Sequence, residues 1–181
     1  MSEQKIPKKI HYCWIGGKPI PEHNRKIMES WKKFCPDYEI IEWNESNYDF
    51  TKNRYMKEAF ENKKWGFAPD YARLDIIYKY GGIYLDTDVE LVKPLDDLLN
   101  LKGFIGFCQG EHCNLGEGFG AIPHHPLIKE ILDYYDNLSF ILDNGDFNQT
   151  PSPVYQTNVL FQLQKFCPSN LRPSKVLVCF L

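Results

Sequence analysis

The apolar residues of the chain recur with the two spacings that distinguish strands from helices. Lys9–Ile15 and Tyr38–Trp43 are short apolar runs bounded by Pro, Gly or polar residues, which favours buried strands. Between them, Glu22–Phe34 places Ile27 and Trp31 four residues apart, on one face of an amphipathic helix. This strand–helix–strand order predicts a βαβ unit at the start of the chain.

The rest of the chain continues the alternation of helices and strands. Gly116–Ile122 is interpreted as a flexible, partly apolar loop, and Val176–Leu181 as an apolar, strand-like tail. A chain of 181 residues is long enough to form one domain with a sizeable core. We therefore expect a single α/β domain with a mixed, mostly parallel sheet and helices on both faces. Further helices are predicted at Tyr55–Lys64, Pro69–Tyr80, Leu95–Leu99, Leu127–Leu138 and Tyr155–Phe166, and further strands at Ile83–Leu85, Val89–Val92 and Gly103–Cys108.

Polar residues interrupt one of the most apolar parts of the chain, Trp65–Pro94. Pro69 suits the first turn of a helix, and the Gly81–Gly82 pair ends that helix just before a buried strand. Asp70 and Arg73 are three residues apart and therefore lie on one face of the helix. Burying a charge is unfavourable unless the charge is paired or bound to a metal. We therefore expect these two side chains to meet other polar groups.

The predicted strand Ile83–Leu85 runs directly into Asp86-Thr87-Asp88. On an extended segment, carboxylates two residues apart point to the same face, with Cα atoms about 6.5 Å apart. Carboxylate oxygens, completed by water and phosphate, are the ligands that hold Mg²⁺ or Mn²⁺ over a diphosphate. An acidic pair at a strand end is by itself more often a solvated turn, so this prediction depends on its apolar context.

One alternative for the same motif is a phosphatase in which the first Asp is the nucleophile. Such a phosphatase carries D-x-D followed, two residues later, by Thr or Val. Glu90 stands at that position here, and the motif does not follow the first strand of the chain. The sequence therefore favours a metal site over a phosphatase.

The segment Ala68–Asp88 resembles the sugar-binding DXD region of glycosyltransferase family 32. It reads A-P-D-x-A-R-x-x-x-x-Y-x-x-G-G-x-Y-x-D-x-D without a gap. That family includes bacterial capsule and lipopolysaccharide sugar transferases and the yeast initiating mannosyltransferase, and it is distantly similar to the glucosylating clostridial toxins. A looser likeness extends from Ile6 to Phe166, and the string I-H-x-x-W-I-G-G resembles the opening strand of the family.

The resemblance implies a Rossmann-like domain of the glycosyltransferase A type. It also implies transfer of a sugar, with retention of configuration, from a UDP- or GDP-sugar to a hydroxyl of a glycan or lipid-linked acceptor. The same resemblance assigns Asp88 as the direct ligand of Mn²⁺ or Mg²⁺, and Asp86 as a second metal ligand or a contact of the nucleotide ribose. No residue is assigned as a catalytic base.

The resemblance also distributes the other candidate residues between the sugar and the nucleotide. Asp70, Arg73 and Tyr84 would form the sugar pocket together with Asp86. Cys13 and Trp14 would line the nucleotide pocket, where the Trp14 ring would stack on the base.

The amino-acid composition of the chain limits its possible binding partners and its cellular compartment. Lys and Arg total 21 against 24 Asp and Glu, a formal charge of −3 that offers no basic footprint for nucleic acid. No apolar run approaches the roughly 20 residues that span a membrane, and Met1–Lys9 is not followed by the apolar core of a signal peptide. The six Cys include no C-x-x-C pair and are expected to be free thiols in a reducing cytosol. By analogy we expect a cytoplasmic enzyme of polysaccharide or lipid-linked oligosaccharide biosynthesis, with peripheral association at the inner membrane face as an alternative.

The sequence is shorter at its C-terminal end than the members of the family that it resembles. Family members run some tens of residues further, to a region with a His and a Ser-x-Trp that adds a metal ligand and closes the sugar-nucleotide site. We therefore expect residues 1–181 to form one domain without that C-terminal segment. An inactive or truncated sugar-nucleotide-binding protein is the alternative function.

Overall fold

The computed structural model describes residues 5–106, 113–162 and 178–180. Helices and strands alternate along these residues, as the apolar pattern predicts. The helices are α1 (Glu22–Phe34), α2 (Arg54–Glu61), α3 (Pro69–Tyr80), α4 (Pro126–Tyr135) and α5 (Ser152–Gln162), with 3₁₀ turns at Asp96–Leu98 and Leu115–Glu117. The strands are β1 (Lys9–Cys13), β2 (Glu39–Trp43), β3 (Gly82–Tyr84), β4 (Gly103–Ile105), β5 (Phe119–Ala121) and β6 (Val178–Phe180).

The strands of the described residues join one mixed sheet in the order β2-β1-β3-β5-β4-β6. β1 pairs in parallel with β2 and β3. β5 is antiparallel to both β3 and β4, and β6 is antiparallel to β4. Strands β1 to β4 therefore run in one direction, and β5 and β6 run in the other. The expected mixed, mostly parallel sheet is confirmed, because four of the six described strands run in the same direction. Three of its five strand pairings are nevertheless antiparallel.

Side chains along the strands alternate between two apolar cores, one on each face of the sheet. On one face, Ile10 and Ile83 belong to the same cluster as Trp31 of α1. On the other face, Tyr84 and Phe119 belong to a cluster that takes side chains from α2, α3, α4 and α5. A fully buried Ile contributes about 1.5–3 kcal/mol to folding. Helices therefore cover both faces of the sheet, as predicted.

Helix α3 joins the core that contains Tyr84 and Phe119 to the site. It packs against β1, β3 and β5 and against α2 and α4. The helix ends at Gly81, which has a φ of 62° and whose N–H donates to the Ile77 carbonyl. A Cβ atom at Gly81 would lie 2.7 Å from Cδ of Pro123, so both the backbone conformation and the available space require glycine. Eight of the twelve α3 residues are buried: Pro69, Asp70, Ala72, Arg73, Leu74, Asp75, Ile76 and Ile77.

The buried ring of His11 joins β1 to two neighbouring segments. Its Nδ1 lies 3.1 Å from the indole Nε1 of Trp43 and accepts that N–H. Because Nδ1 accepts, Nε2 carries the proton and donates to the carbonyl of Gly81 at 3.0 Å. Burial lowers the pKa of His11 to about 4, so the ring is neutral at pH 7. The side chain therefore holds β1, β2 and the turn before β3 together through two neutral hydrogen bonds.

The structure differs from the predicted elements between residues 85 and 122. Val89–Val92 is not a strand, because its polar groups bond to α1 instead of to the sheet. The carbonyl of Val89 accepts from the Trp31 indole at 2.7 Å, and the N–H of Leu91 donates to Ser30 Oγ at 2.9 Å. The predicted loop Gly116–Ile122 contains strand β5. This strand is hydrogen-bonded to its neighbours β3 and β4, and its short sequence alone does not predict that pairing.

The predicted strand Gly103–Cys108 and some of the cysteines include residues that the structure does not describe. Residues 107 and 108 of the predicted strand Gly103–Cys108 lie outside the described residues, as do Cys167 and the side chain of Cys179. Among the described residues, Cys13, Cys35 and Cys113 take part in no disulfide bond. In the part of the chain that the structure describes, no helix has the length and apolar character needed to cross a membrane.

Candidate functional site

Two cavities meet where β3 ends and the chain turns toward α1. The first, of about 490 Å³, lies between the loop after β1 and the residues that precede α3. The second, of about 480 Å³, lies between the start of α3, the 3₁₀ turn Leu115–Glu117 and the start of α5. Arg73, Asp86 and Asp88 line both cavities. Each volume is within the range of small-molecule sites, and three charged side chains mark the junction.

The two carboxylates of the D-x-D motif lie on a turn and not on an extended strand. β3 ends at Tyr84, and the N–H of Val89 donates to the carbonyl of Asp86 at 3.0 Å. The extended geometry predicted for Asp86 to Asp88 is therefore wrong, because this hydrogen bond closes a turn. The buried hydroxyl of Thr87 accepts from Asn24 of α1 at 3.0 Å, which fixes the turn to the body of the protein. Both carboxylates still reach the same two cavities.

Asp86 and Asp88 differ in their partners. The Asp86 side chain is 37% exposed, and its Oδ2 pairs with Arg73 at 3.3 Å. Asp88 is exposed and has no hydrogen-bond or ionic partner among the described residues. Asp88 is therefore free to bind a ligand, whereas Asp86 is held in place by the protein.

Arg73 connects two acidic side chains inside the protein. Its Nη2 donates to Asp70 Oδ1 at 2.9 Å, and its Nη1 donates to Asp86 Oδ2 at 3.3 Å. Its Nε donates to the carbonyl of Pro69 at 3.3 Å, and its guanidinium lies 5.2 Å from the ring centre of Tyr84. These bonds use three of the five guanidinium N–H groups and leave two for a ligand.

Burial and charge together set the protonation of this pair. Desolvation raises the pKa of Asp70 to about 6, while the Arg73 charge opposes the rise and the Asp86 charge adds to it. Desolvation acts to lower the pKa of Arg73, but the negative charges around it outweigh that effect and raise it above its ordinary value. At pH 7 Asp70 is therefore mostly ionised and Arg73 is charged.

The other predicted residues line the first cavity from β1 and β3. The buried thiol of Cys13 hydrogen-bonds to the Tyr84 hydroxyl, and desolvation raises the pKa of Cys13 to about 12. The half-buried Trp14 donates its indole N–H to the carbonyl of Lys18 at 2.6 Å, which leaves part of its ring for the cavity. The structure thus gathers every sequence-predicted site residue around the two cavities: Cys13, Trp14, Asp70, Arg73, Tyr84, Asp86 and Asp88.

The sequence analysis missed Gly116 as a part of the site. The Asp86 N–H donates to the Gly116 carbonyl at 3.4 Å, and a Cβ atom on Gly116 would lie 2.5 Å from Asp86 Oδ2. The 3₁₀ turn Leu115–Glu117 therefore packs directly on the D-x-D motif. Glycine permits such a close backbone approach because it has no Cβ atom.

Ser152 and Trp65 are the other site residues that the sequence analysis did not assign. The Ser152 hydroxyl hydrogen-bonds to Asp70 from the start of α5, and the residue lines the second cavity. Trp65 lines the first cavity just before α3. Ser152 has no local sequence signal, because α5 is brought to the site by its packing on α4 and by its hydrogen bonds to residues 113 and 115.

The comparison with protein families decides what kind of site this is. Residues 21–104 match the family model described as the glycosyltransferase sugar-binding region containing the DXD motif. The matched segment contains α3, β3 and the D-x-D turn with Asp70, Arg73, Asp86 and Asp88. Residues 21–104 are therefore similar to the DXD sugar-binding region of this glycosyltransferase family.

The names of two similar curated proteins refer to mannosylated inositol ceramides. Inositol phosphoceramide mannosyltransferase 1 of Schizosaccharomyces pombe is 30% identical over 185 residues, which cover 94% of this chain and 54% of the relative. Mannosyl phosphorylinositol ceramide synthase SUR1 of Saccharomyces cerevisiae is 33% identical over 148 residues, which cover 76% of this chain and 37% of the relative. The chain therefore spans about half the length, or less, of these two relatives.

A solved glycosyltransferase structure extends the likeness to the fold around the sugar-binding region. The PaToxG glycosyltransferase superposes with a TM-score of 0.69 at 25% identity, over 88% of this chain and 70% of that protein. This likeness confirms the expected Rossmann-like domain of the glycosyltransferase A type.

The side chains of the DXD region suit a divalent cation that the protein shares with its ligand. Asp88 offers an unpartnered carboxylate, and Asp86 keeps one oxygen that is not paired with Arg73. Within the described residues no group of three or more His, Cys, Asp or Glu could hold a metal. Mg²⁺ is commonly held by one or two carboxylates with water and substrate phosphates in the other positions. The residues present therefore fit Mg²⁺ or Mn²⁺ with Asp88 and Asp86 as the protein ligands.

Proposed function

We propose that this protein transfers a sugar from a UDP- or GDP-sugar to a hydroxyl of a glycan or lipid-linked acceptor. The proposed reaction needs a divalent metal and retains the anomeric configuration. The observation that carries the proposal is the meeting of the two cavities at Arg73, Asp86 and Asp88. A nucleotide sugar has a diphosphate at its centre, so the charged junction would hold the diphosphate and the two cavities would hold its two ends.

The first cavity supports the nucleoside end of this assignment. Trp14 and Cys13 line it, and Asp70 does not. The Trp14 ring is fixed by its bond to Lys18, and a rigid indole gives about 1–3 kcal/mol of stacking on a base. The neutral Cys13 thiol adds an uncharged group at the end of β1. Tyr84, which the resemblance assigns to the sugar pocket, lines this first cavity from the end of β3 instead of the second cavity.

The second cavity supports the sugar end. Asp70 lines this cavity and accepts from Arg73 and Ser152, so its carboxylate is held by the protein while it faces the ligand. The two unused N–H groups of Arg73 can donate to sugar or phosphate oxygens. A carboxylate and a guanidinium held in this way would distinguish sugar hydroxyls, because a missing hydroxyl would leave buried polar groups unpaired.

The acidic junction supports the metal. Asp88 and Asp86 would place two carboxylates beside a diphosphate that is itself negative, and Arg73 and Lys18 offset only part of that charge. A bound Mg²⁺ or Mn²⁺ would neutralise the charge that develops on the departing diphosphate. The part of the protein in this step is to hold the diphosphate and the sugar in one fixed orientation.

The names of the two yeast relatives indicate which acceptor and sugar to test first. One yeast relative is named an inositol phosphoceramide mannosyltransferase and the other a mannosyl phosphorylinositol ceramide synthase, so mannose and an inositol-bearing sphingolipid are the first pair to test. A lipid acceptor would place the enzyme at a membrane surface, and we propose a cytoplasmic protein with peripheral association.

Two other functions make different predictions. An inactive sugar-nucleotide-binding protein would bind the donor and release no nucleoside diphosphate. A phosphatase would use Asp86 as a nucleophile, but that carboxylate is paired with Arg73 and the matched family transfers sugars. Turnover of GDP-mannose and UDP-glucose, measured with and without acceptor, separates these cases from the proposed transferase.

The donor and the metal site are tested by calorimetric titration of the protein with GDP-mannose and UDP-glucose, with Mn²⁺ or with a chelator. We expect one donor to bind, the chelator to weaken that binding at least tenfold, and Asp88→Asn to have the same effect. Asp97→Asn is the matched control, because Asp97 is an exposed carboxylate that lines neither cavity. Equal affinity with chelator present, or in Asp88→Asn, would contradict the assignment of Asp88 to the metal.

A further inference from the structure

The first cavity has a second indole in its wall, which the DXD motif does not account for. Trp65 lines this cavity and is 36% exposed, although it is a large aromatic residue. Phe60 packs on its ring edge to face, with ring centres 5.5 Å apart. Trp65 does not line the second cavity, where Asp70 lies. Its exposed surface therefore faces the end of the site assigned to the nucleoside.

The loop after β1 fixes the position of the Trp65 ring. A Cβ atom on Gly16 would lie 2.8 Å from the Trp65 Nε1 and 2.9 Å from its Cε2, so the indole packs directly on the Gly16 backbone. The N–H of Gly16 donates to Glu45 Oε1 at 2.6 Å, which holds that backbone in place. Trp65 is thus clamped between Phe60 and a glycine that has no room for a side chain.

The same short loop also fixes Trp14. The Trp14 indole donates to the carbonyl of Lys18, and Gly16 lies between these two residues in the chain. One loop therefore positions two indole rings in the wall of one cavity. Two rigid aromatic surfaces in one pocket suit a flat ring, because aromatic rings stack with little loss of conformational freedom.

From this arrangement we propose that Trp65 is a specificity-determining residue that contacts the nucleobase of the donor together with Trp14. The proposal rests on the proposed function, because it needs a nucleotide in the first cavity. It assigns to Gly16 the task of keeping the Trp65 ring in place. A sugar is the less suitable occupant here, since the residues that can discriminate hydroxyls lie in the second cavity.

The test measures the affinities of UDP, GDP and pyrophosphate in the presence of Mn²⁺, by calorimetry. We expect Trp65→Ala to weaken binding of the preferred nucleoside diphosphate about 5- to 150-fold, the equivalent of losing one stacked base. Pyrophosphate should bind the variant and the original protein within twofold, because it has no base. Trp65→Phe should retain most of the affinity, since it keeps an aromatic surface.

Gly16 and Gly17 give a matched pair for the same test. Both have positive φ, 90° and 68°, so alanine strains the backbone at either position. Only Gly16 contacts Trp65, whereas a Cβ atom on Gly17 would meet no atom within 4 Å. Gly16→Ala should therefore weaken nucleoside diphosphate binding at least fivefold more than Gly17→Ala does.

The outcomes distinguish this inference from the function on which it rests. If the original protein binds neither nucleoside diphosphate, the proposed function and the role of Trp65 are both wrong. If it binds one of them and Trp65→Ala leaves the ratio of nucleoside diphosphate to pyrophosphate affinity unchanged, only the role of Trp65 is wrong. A melting temperature for each variant shows that the ratio compares folded proteins.

Discussion

The ion pair between Asp70 and Arg73 differs from the usual pair of this spacing on a helix. An exposed pair one helical turn apart contributes about 0.3–0.5 kcal/mol. Here the side chains of Arg73 and Asp70 are only 6% and 5% exposed, and Arg73 also pairs with Asp86. Removing one partner of a buried pair costs about 3–5 kcal/mol, because the other charge is left uncompensated. Tests of these residues therefore need substitutions that keep size and hydrogen bonding.

We predict that Asp70→Asn will selectively weaken binding of the sugar nucleotide. The amide is similar in size, but it removes a charged acceptor, and hydrogen bonds to charged groups contribute about 1.5–3 kcal/mol. Sugar-nucleotide affinity should therefore fall about 10- to 150-fold relative to the bare nucleoside diphosphate, as measured by calorimetry. Asp75→Asn is the control, because Asp75 is also a buried carboxylate of α3 but bonds to Tyr48 and lines neither cavity. A similar loss in both variants would show that Asp70 has only a structural role.

The pH dependence of binding provides a second measure of the same residue. Protonation of Asp70 removes its charge, so the preference for sugar nucleotide over nucleoside diphosphate should fall as pH drops through about 6. Stability should change in the opposite direction. A carboxyl with a raised pKa stabilises the fold most below its ordinary value of 3.8, and that contribution is lost as pH rises through about 6. Asp70→Asn should abolish the step in binding preference near pH 6.

At the scale of elements, the 3₁₀ turn Leu115–Glu117 connects the D-x-D motif to α5. Its Gly116 packs on Asp86, and its Leu115 N–H donates to the buried Gln156 of α5 at 3.2 Å. Asn114 caps the turn by accepting from the Gly116 N–H. The turn therefore transmits the position of α5 to the D-x-D motif.

We predict that Gly116→Ala will weaken donor binding at least tenfold. The added methyl group would lie 2.5 Å from Asp86 Oδ2 and 3.2 Å from Nη1 of Arg73, so both side chains must move. Overpacking of this kind typically costs about 1–3 kcal/mol of stability as well. Calorimetry and thermal unfolding measure the two effects.

Gly66→Ala is the comparison for this prediction. Gly66 also lines both cavities, but a Cβ atom there would meet no atom within 4 Å. If the two alanine variants bind the donor equally well, the contact between Gly116 and Asp86 does not control the site.

The sequence predicts best those helices and strands whose start, apolar pattern and end are encoded in their own residues. Helix α3 has a first-turn Pro, a long apolar run and a glycine end, and it appears with the predicted bounds Pro69–Tyr80. Strand β5 has only three residues and one glycine within it, and it exists because β3 and β4 lie on either side. Local pattern cannot reveal such a strand, since its hydrogen-bond partners are distant in sequence.

At the scale of the whole molecule, the site combines one contiguous segment with four separate contributions. The stretch from Asp70 to Asp88 forms the junction of the cavities, and the sequence predicted it because helix, turn and motif follow one another. The loop after β1, Trp65, the 3₁₀ turn and the start of α5 complete the walls. Only the first of these was predicted, from the resemblance of its strand to the family. The others depend on how the sheet is ordered, which local pattern does not determine.

The buried imidazole of His11 gives this protein an internal standard for all of these experiments. Its Nε2–H bonds to the Gly81 carbonyl and is shielded from water, so the proton should exchange with solvent only when this part of the sheet opens. In a proton NMR spectrum the resonance should persist after transfer to heavy water and should be unaffected by donor titration. If a variant with a substitution in the cavities keeps this slowly exchanging proton, its lower affinity comes from lost binding contacts. If the proton exchanges rapidly, the variant has lost the structure of this part of the sheet.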